Sequence, residues 1–221
     1  MRQDLIVIQS HDPEWGQAFE TQRAAVEGAL ASWLVARVEH IGSTSVPGLP
    51  AKPIIDMLAL IDDYDTFGPA RQELEQVHWV VAPEPGDEDL RKWSACFPTA
   101  EHRTHHLHVV ERNSSAWRDW LLFRDYLRTN VEAARRYAEL KRELAAADHR
   151  DRVRYRAGKA PLIAELMERA RLWSTHSPSR TPAIGPEVLH EREGFGLGVR
   201  RPDSATGQGD GRTAREPGGY A

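Results

Sequence analysis

Apolar residues recur with two different periods along this chain, and the periods alternate from one segment to the next. A period of two residues is typical of a strand, and a period of three to four is typical of an amphipathic helix. The strand pattern and short apolar runs mark the ranges 5–8, 38–41, 53–61, 79–81, 93–97 and 105–111. The helical pattern marks the ranges 12–33, 65–76, 116–128, 131–147 and 152–173. We therefore predict an α+β fold in which helices pack about a mixed β-sheet and the C-terminal segment is helical.

Three local signals add to this pattern. Thr129 and Glu132 have the spacing of a capping box, which predicts that Thr129 starts the helix over 131–147. Pro161 removes a backbone hydrogen bond, so we expect the last helix to break or kink near 158–161. The range 83–89 combines two prolines, a glycine and four acids, which predicts an exposed loop and a candidate lid over a site.

The composition changes near residue 175. The range 175–221 holds nine of the 16 glycines and five of the 14 prolines, with few large apolar residues. Such a stretch cannot bury enough apolar surface to offset the entropy lost on ordering. We predict one folded domain over 1–174 and a disordered tail, rich in Gly, Pro and Arg, over 175–221.

Charge and cysteine content narrow the class of protein. The net charge is −4, so the chain lacks the basic field that a nucleic-acid-binding protein uses to displace counterions. Its single cysteine, Cys96, excludes an internal disulfide. The first residues lack a signal-peptide pattern, and no apolar run approaches the ~20 residues of a membrane span. We expect a cytoplasmic protein with a small-molecule ligand; nothing in the sequence points to a protein partner.

The range 37–61 carries the densest candidate chemistry. A predicted strand runs into the small and hydroxyl residues Gly42, Ser43, Thr44 and Ser45. Glycine lets the backbone approach a ligand closely, and hydroxyl and N–H groups then point at it. This pattern favours phosphate binding, and the alternative is a plain turn with a helix cap.

Asp56 interrupts the apolar strand that follows this loop. A buried charge needs a metal, a hydrogen-bonding partner or a cleft, so Asp56 is a candidate metal ligand. The alternative is an aspartate satisfied by Lys52, an arginine or backbone N–H groups. Lys52 is itself a candidate phosphate contact, or else an exposed loop lysine. A single carboxylate holds Mg²⁺ weakly, and the further ligands considered are Glu39, Glu111, and His106 with His108.

The strand predicted over 105–111 alternates polar and apolar residues. His106 and His108 share one face, and Leu107 and Val109 share the other. The two histidines are candidates for general acid or base catalysis, because imidazole titrates near neutral pH. The alternative is an exposed sheet face that carries polar residues.

Arg124 and Arg128 lie four residues apart on one predicted helix and therefore share a face. Two stacked cations are stable when an anion lies between or opposite them, which predicts a phosphate or carboxylate contact. Pairing with acids such as Asp125 or Glu132 is the alternative, and we give it equal weight.

Several blocks of this sequence resemble the GrpB-like family. The blocks, within residues 5–170, are HIGSTSVPGL, AKPIID, RTHHLHVVE, LLFRDYLR and LKRELA. The resemblance implies a nucleotidyltransferase-like fold, in which a strand ending in Gly-Ser opens a helix that holds a triphosphate. The next strand of that superfamily carries an Asp-x-Asp metal pair. Gly42, Ser43 and Asp56 match this pattern, whereas Leu58 stands where the second carboxylate belongs.

The resemblance implies a metal-dependent enzyme that acts on a nucleoside triphosphate and a small-molecule acceptor. Mg²⁺ or Mn²⁺ would bind Asp56, assisted by Glu39. Adenylylation of a carboxylate followed by ligation to an amine is a chemical variant of the same reaction. Because Leu58 replaces a metal ligand, a catalytically silent module that binds a nucleotide or a protein is the alternative function.

Overall fold

The computed structural model describes residues 5–176. The five strands are β1 (Glu39–Ile41), β2 (Ile55–Ile61), β3 (Val80–Val81), β4 (Lys92–Phe97) and β5 (His105–Glu111). The five helices are α1 (Glu14–Ala29), α2 (Ala70–Gln76), α3 (Ser115–Thr129), α4 (Val131–Ala147) and α5 (Arg152–His176). Short 3₁₀ turns occupy Ser43–Ser45 and Tyr64–Thr66. The predicted α+β class is confirmed.

The strands form one mixed sheet in the order β1-β2-β5-β4-β3. Among the described strands, β2 and β5 are the parallel pair, and the other neighbours are antiparallel. The central β2 is covered on both faces, which explains why its sequence is a nearly continuous apolar run. In the parallel pair Asp56 lies opposite His106, and Leu58 lies opposite His108.

The two faces of the sheet have separate apolar cores. On one face Met57, Leu107 and Val109 pack in a cluster with residues of α1 and α2. On the other face Leu58 packs in a cluster that includes Trp117 of α3. As predicted, the face opposite Leu107 and Val109 carries His106 and His108, so the site described below lies on the α3 side.

Three boundary predictions are wrong. Residues 5–8 form no strand; the nearest ladder contact is an isolated bridge between Gln9 and Ala51. The N-cap of α4 is Asn130, whose side chain accepts from the Ala133 N–H at 2.9 Å, and Thr129 instead donates to carbonyls of α3. The range 65–76 is divided between a 3₁₀ turn and α2.

The expected break near 158–161 is also absent, because α5 runs continuously through Pro161. Near this position α5 packs closely on α4, where a Cβ at Gly158 would lie 2.5 Å from a methyl carbon of Leu144. Gly158 therefore permits close helix packing. The predicted tail lies outside the described residues from 177 onward, and residues 175 and 176 complete α5.

The range 83–89 forms the loop that its composition predicts, and five of its seven residues are exposed, but Asp87 and Glu84 are held against the protein. Asp87 is 6% exposed and pairs with the buried Lys92 at 2.6 Å. Glu84 pairs with Arg103 at 3.2 Å. Ion pairing thus folds this acidic turn against the sheet.

Candidate functional site

A cavity of about 510 Å³ lies between the α3-facing side of the sheet, the turn after β1, and helices α3, α4 and α5. Its volume is within the range of small-molecule sites. The predicted site residues that line it are Gly42, Ser43, Thr44, Lys52, Asp56, His106, His108 and Arg124. The structure therefore brings most of the candidate residues together, from four separate segments of the chain.

Asp56, His106 and His108 form the centre of this cavity. One carboxylate oxygen of Asp56 lies 3.6 Å from Nδ1 of His106 and 3.6 Å from Nε2 of His108. The parallel register of β2 and β5 places these side chains on one face. Each imidazole also has a buried nitrogen with no hydrogen-bond partner among residues 5–176, Nε2 in His106 and Nδ1 in His108.

The charge states in this centre follow from burial and from the neighbours. Burial would raise the pKa of Asp56, but the adjacent His106 and His108 imidazoles outweigh it and hold the pKa well below its usual range. Burial lowers the pKa of His108 to about 4, and the nearby His106 adds to this effect. At neutral pH the site therefore offers an ionised carboxylate and a neutral His108 with a free lone pair.

Gly42 lets the turn after β1 approach this centre. Its φ is 70° and its ψ is −173°, a conformation open essentially to glycine alone. A Cβ at this position would lie 2.5 Å from a carboxylate oxygen of Asp56. The glycine is thus required by contact with the candidate metal ligand as well as by backbone geometry.

Four candidate residues lie outside the cavity lining: Glu39, Ser45, Arg128 and Glu111, of which Glu111 pairs with Arg91. The Glu39 carboxylate accepts from Arg124 at 2.6 Å, and the described side chains grouped with Asp56 as potential metal ligands are His106 and His108. Ser45 donates to the Gly42 carbonyl, and Arg128 donates to the Ser45 carbonyl at 3.0 Å. Glu39, Arg124 and Arg128 line a second, smaller cavity of about 270 Å³.

Both arginines pair with acidic side chains, which is one of the two outcomes that the sequence left open. Arg124 binds both Glu39 and Asp125, and Arg128 lies 3.5 Å from Asp125. Arg124 therefore meets the cavity with two carboxylates already beside its guanidinium, which reduces the charge it offers to a phosphate.

Sequence reasoning missed several residues of the cavity. These are Glu84, Arg103, Tyr137, Lys141, Arg152, Tyr155, Arg156 and Lys159. Most lie on α4 and α5, and α5 carries charges on several of its faces. One signal could have identified Lys141: it lies on the otherwise apolar face of the amphipathic α4 sequence, where a lysine breaks the pattern.

Lys141 joins α4 to the turn after β1. It is 2% exposed, and its Nζ donates to Ser43 Oγ at 2.8 Å and to the Pro50 carbonyl. Burial lowers its pKa to about 7, and the nearby Lys159 and Arg142 contribute. This lysine fixes Ser43 and the proline-rich turn against the helical layer.

The lowered pKa of Lys141 predicts a pH-dependent stability. Between pH 7 and ~10.5 the unfolded lysine binds a proton that the folded one has lost, so this group makes the unfolding free energy rise with pH. In the wild-type protein this rise in unfolding free energy is on the order of a few kcal/mol, and we expect Lys141→Met to remove it. Urea unfolding of both proteins at pH 7 and pH 9 measures it, and equal pH slopes would contradict the assignment.

A divalent metal fits the Asp56 centre. The donor set is one carboxylate oxygen and two imidazole nitrogens, and their ligand atoms lie within 4.8 Å of one another. Imidazole and carboxylate are the donors of many catalytic metal sites, in which positions stay open for substrate.

The described helices include none long and apolar enough to cross a membrane.

The chain belongs to the GrpB family, because residues 5–169 match the family model described as GrpB protein. The UPF0157 protein of Pseudomonas aeruginosa is 36% identical over 194 residues, which cover 86% of this chain and 78% of that protein. UPF0157 protein YqkA of Bacillus subtilis is 32% identical, with 83% of this chain and 51% of YqkA covered. The predicted GrpB-like resemblance is confirmed.

One solved structure belongs to the same family. The GrpB protein of Enterococcus faecalis superposes with a TM-score of 0.66 and 32% identity, covering 76% of this chain and 99% of that one. Cid1, described as having RNA terminal uridylyl transferase activity, aligns with a TM-score of 0.42 and 16% identity over 61% of this chain and 41% of Cid1.

Proposed function

We propose that this protein binds a nucleoside triphosphate in the large cavity and transfers a nucleotidyl group to a small-molecule acceptor. The observation that supports this function is the charge of the cavity. Among the described residues that line it, seven are Lys or Arg and two are Asp or Glu, in a chain whose net charge is −4. A local concentration of cations in an otherwise acidic protein suits a polyanionic ligand.

The chain's residues divide this work by position. Ser43, Lys52 and Lys159 line the cavity as phosphate contacts. Asp56, His106 and His108 would hold a divalent metal, which when bound supplies Lewis acidity to neutralise charge on the transferred phosphoryl group. The apolar Ile41, Trp120 and Phe123 also line the cavity and offer a surface for a base or for an apolar acceptor.

Two reactions share this site. In the first, an acceptor oxygen or nitrogen attacks the α-phosphorus, and pyrophosphate leaves. In the second, a carboxylate oxygen makes the same attack, and an amine then attacks the acyl carbon of the resulting mixed anhydride and displaces the nucleoside monophosphate. Pyrophosphate is released in both, so its release tests them together.

A catalytically silent accessory module is the second candidate, and Leu58 favours it. Leu58 is fully buried in the cluster with Ile41, Val110 and Trp117. It therefore contributes to packing rather than to ligand binding, and the second carboxylate of the superfamily pattern has no counterpart at this position.

Calorimetry with the four nucleoside triphosphates, with and without Mg²⁺ or Mn²⁺, tests nucleotide binding. We expect Lys159→Gln to weaken binding by about 10-fold through loss of one charged contact, and the exposed Arg135→Gln on α4 to leave it unchanged. A pyrophosphate-release screen over amines, alcohols and carboxylic acids follows. Binding without release supports the silent module, and no nucleotide binding with metal present excludes both the transferase and a nucleotide-binding silent module.

A further inference from the structure

We propose that Asp56, His106 and His108 form a binding site for a first-row transition-metal ion that accepts imidazole, of the Zn²⁺, Fe²⁺ or Mn²⁺ class, in preference to Mg²⁺. The proposal deepens the proposed function by naming its metal, and its catalytic meaning rests on that function. The binding of the ion itself does not, because the geometry and donor set of the three side chains carry it.

The spacing of the three side chains is that of ligands around one ion. The two Asp56–imidazole distances are both 3.6 Å, which is too long for a hydrogen bond. Donors bonded at ~2.1 Å to a tetrahedral ion are separated by ~3.4 Å. All three ligand atoms lie within 4.8 Å of one another, so closure of the side chains around an ion would bring them to bonding distance.

A neighbouring histidine shows what a purely structural imidazole does in this strand. His105, on the opposite face of β5, uses both ring nitrogens: Nδ1 lies 2.9 Å from Thr104 Oγ1, and Nε2 lies 3.3 Å from the Ala18 carbonyl. His106 and His108 differ, since each has a buried nitrogen that makes no hydrogen bond within the described part of the chain and directs its other nitrogen at Asp56. His106 and His108 therefore do not behave as core histidines whose ring nitrogens are both hydrogen-bonded.

The donor set selects the class of ion. Mg²⁺ demands near-octahedral oxygen ligands and keeps several waters, so two imidazoles suit it poorly. Two histidines with one carboxylate are the donor set of open sites that bind Zn²⁺ or Fe²⁺, and Mn²⁺ tolerates the same mixture. Leu58, which lies opposite His108 in the sheet, occupies the position where a second carboxylate would add oxygen ligands for Mg²⁺. That position is apolar here.

Glu84 lies where an outer partner of a metal-bound histidine is commonly found. Its carboxylate is 3.9 Å from Nε2 of His106, the nitrogen that faces away from Asp56. Metal-ligating histidines usually direct their second nitrogen at a carboxylate or carbonyl, which orients the ring. Arg103 binds the same carboxylate and holds it beside the ring. We assign Glu84 as a positioning residue for His106.

Cobalt(II) is the probe that tests this site. The full chain is stripped with a chelator and titrated with Co²⁺ in the absence of nucleotide, and visible d–d absorption reports the bound ion. We expect one equivalent to bind and a large excess of Mg²⁺ to leave it in place, whereas Zn²⁺ displaces it. Asp56→Asn, His106→Gln and His108→Gln should each weaken binding by more than ~10-fold. Glu84→Gln should weaken it less and shift the absorption spectrum.

The exposed His102→Gln is the matched control, since it removes an imidazole four residues from His106 without touching the cavity. Circular dichroism verifies that each variant folds. Absence of Co²⁺ binding to the wild-type protein would overturn the proposal, and so would displacement of Co²⁺ by equimolar Mg²⁺, a test that needs no variant. Binding that survives all three ligand substitutions would place the ion elsewhere and overturn it as well. Because nucleotide is absent, failure here is distinct from failure of nucleotide binding.

Discussion

Asp56→Asn is expected to lower the rate of pyrophosphate release by more than ~100-fold while nucleotide affinity changes by less than ~10-fold. Loss of an outer partner of a metal ligand typically costs 10–100-fold, so loss of a ligand costs more. Asparagine keeps the shape of the side chain, and the phosphate contacts at Ser43 and Lys52 are on other segments. The loss then appears in turnover rather than in ground-state binding.

Steady-state kinetics and calorimetry on the same preparations measure the two quantities. Asp62→Asn is the control: Asp62 lies just beyond the end of β2, where it pairs with Arg112 at the surface. A parallel fall in affinity and rate for Asp56→Asn would show that Asp56 acts in binding the nucleotide and not in the reaction.

Gly42→Ala is expected to destabilise the fold by at least ~2 kcal/mol and to abolish binding of Co²⁺. Strain at a backbone conformation reserved for glycine costs of order 1–3 kcal/mol, and here the added methyl also meets the Asp56 carboxylate at 2.5 Å. Asp56 must move, and the ligand geometry is lost with it. Thermal and urea unfolding give the stability, and the cobalt titration gives the site.

Gly48→Ala separates the two causes. Gly48 also has a positive φ, 75°, but a Cβ there would meet no atom of the described residues within 4 Å, so its substitution reports backbone strain. We expect a smaller loss of stability, of about 1 kcal/mol, and unchanged binding of Co²⁺. Equal losses in the two variants would show that contact with Asp56 contributes nothing.

The parts of the site that lie on strands were predictable from the sequence. An apolar run broken by one carboxylate located Asp56 on a central strand, and strict alternation placed His106 and His108 on one face of β5. These inferences use the two-residue period, which is insensitive to the rest of the fold. They do not reveal that β2 and β5 are parallel neighbours, because that pairing is set by tertiary structure.

The helical and loop contributions could not be predicted in the same way. Lys159 points into the cavity because α5 is packed in a particular rotation, which a helix with charges on several faces does not specify. Glu84 lies in a segment whose composition is typical of exposed loops, yet its ion pair with Arg103 draws it to the sheet. In both cases the position of the side chain depends on residues distant in sequence.

The parallel pairing of β2 with β5 also sets when the site can form during folding. β1 and β2 are neighbours within residues 39–61, and β4 and β5 within 92–111, so each antiparallel pair closes a short loop. Joining the pairs brings together residues fifty positions apart, such as Ile55 and His105, and contacts of such long sequence separation are the kind that slow folding. Asp56 and His106 meet only at that step. An ion that requires both would bind the assembled sheet and neither half alone, so occupancy of the centre would report completion of the sheet and stabilise it by mass action.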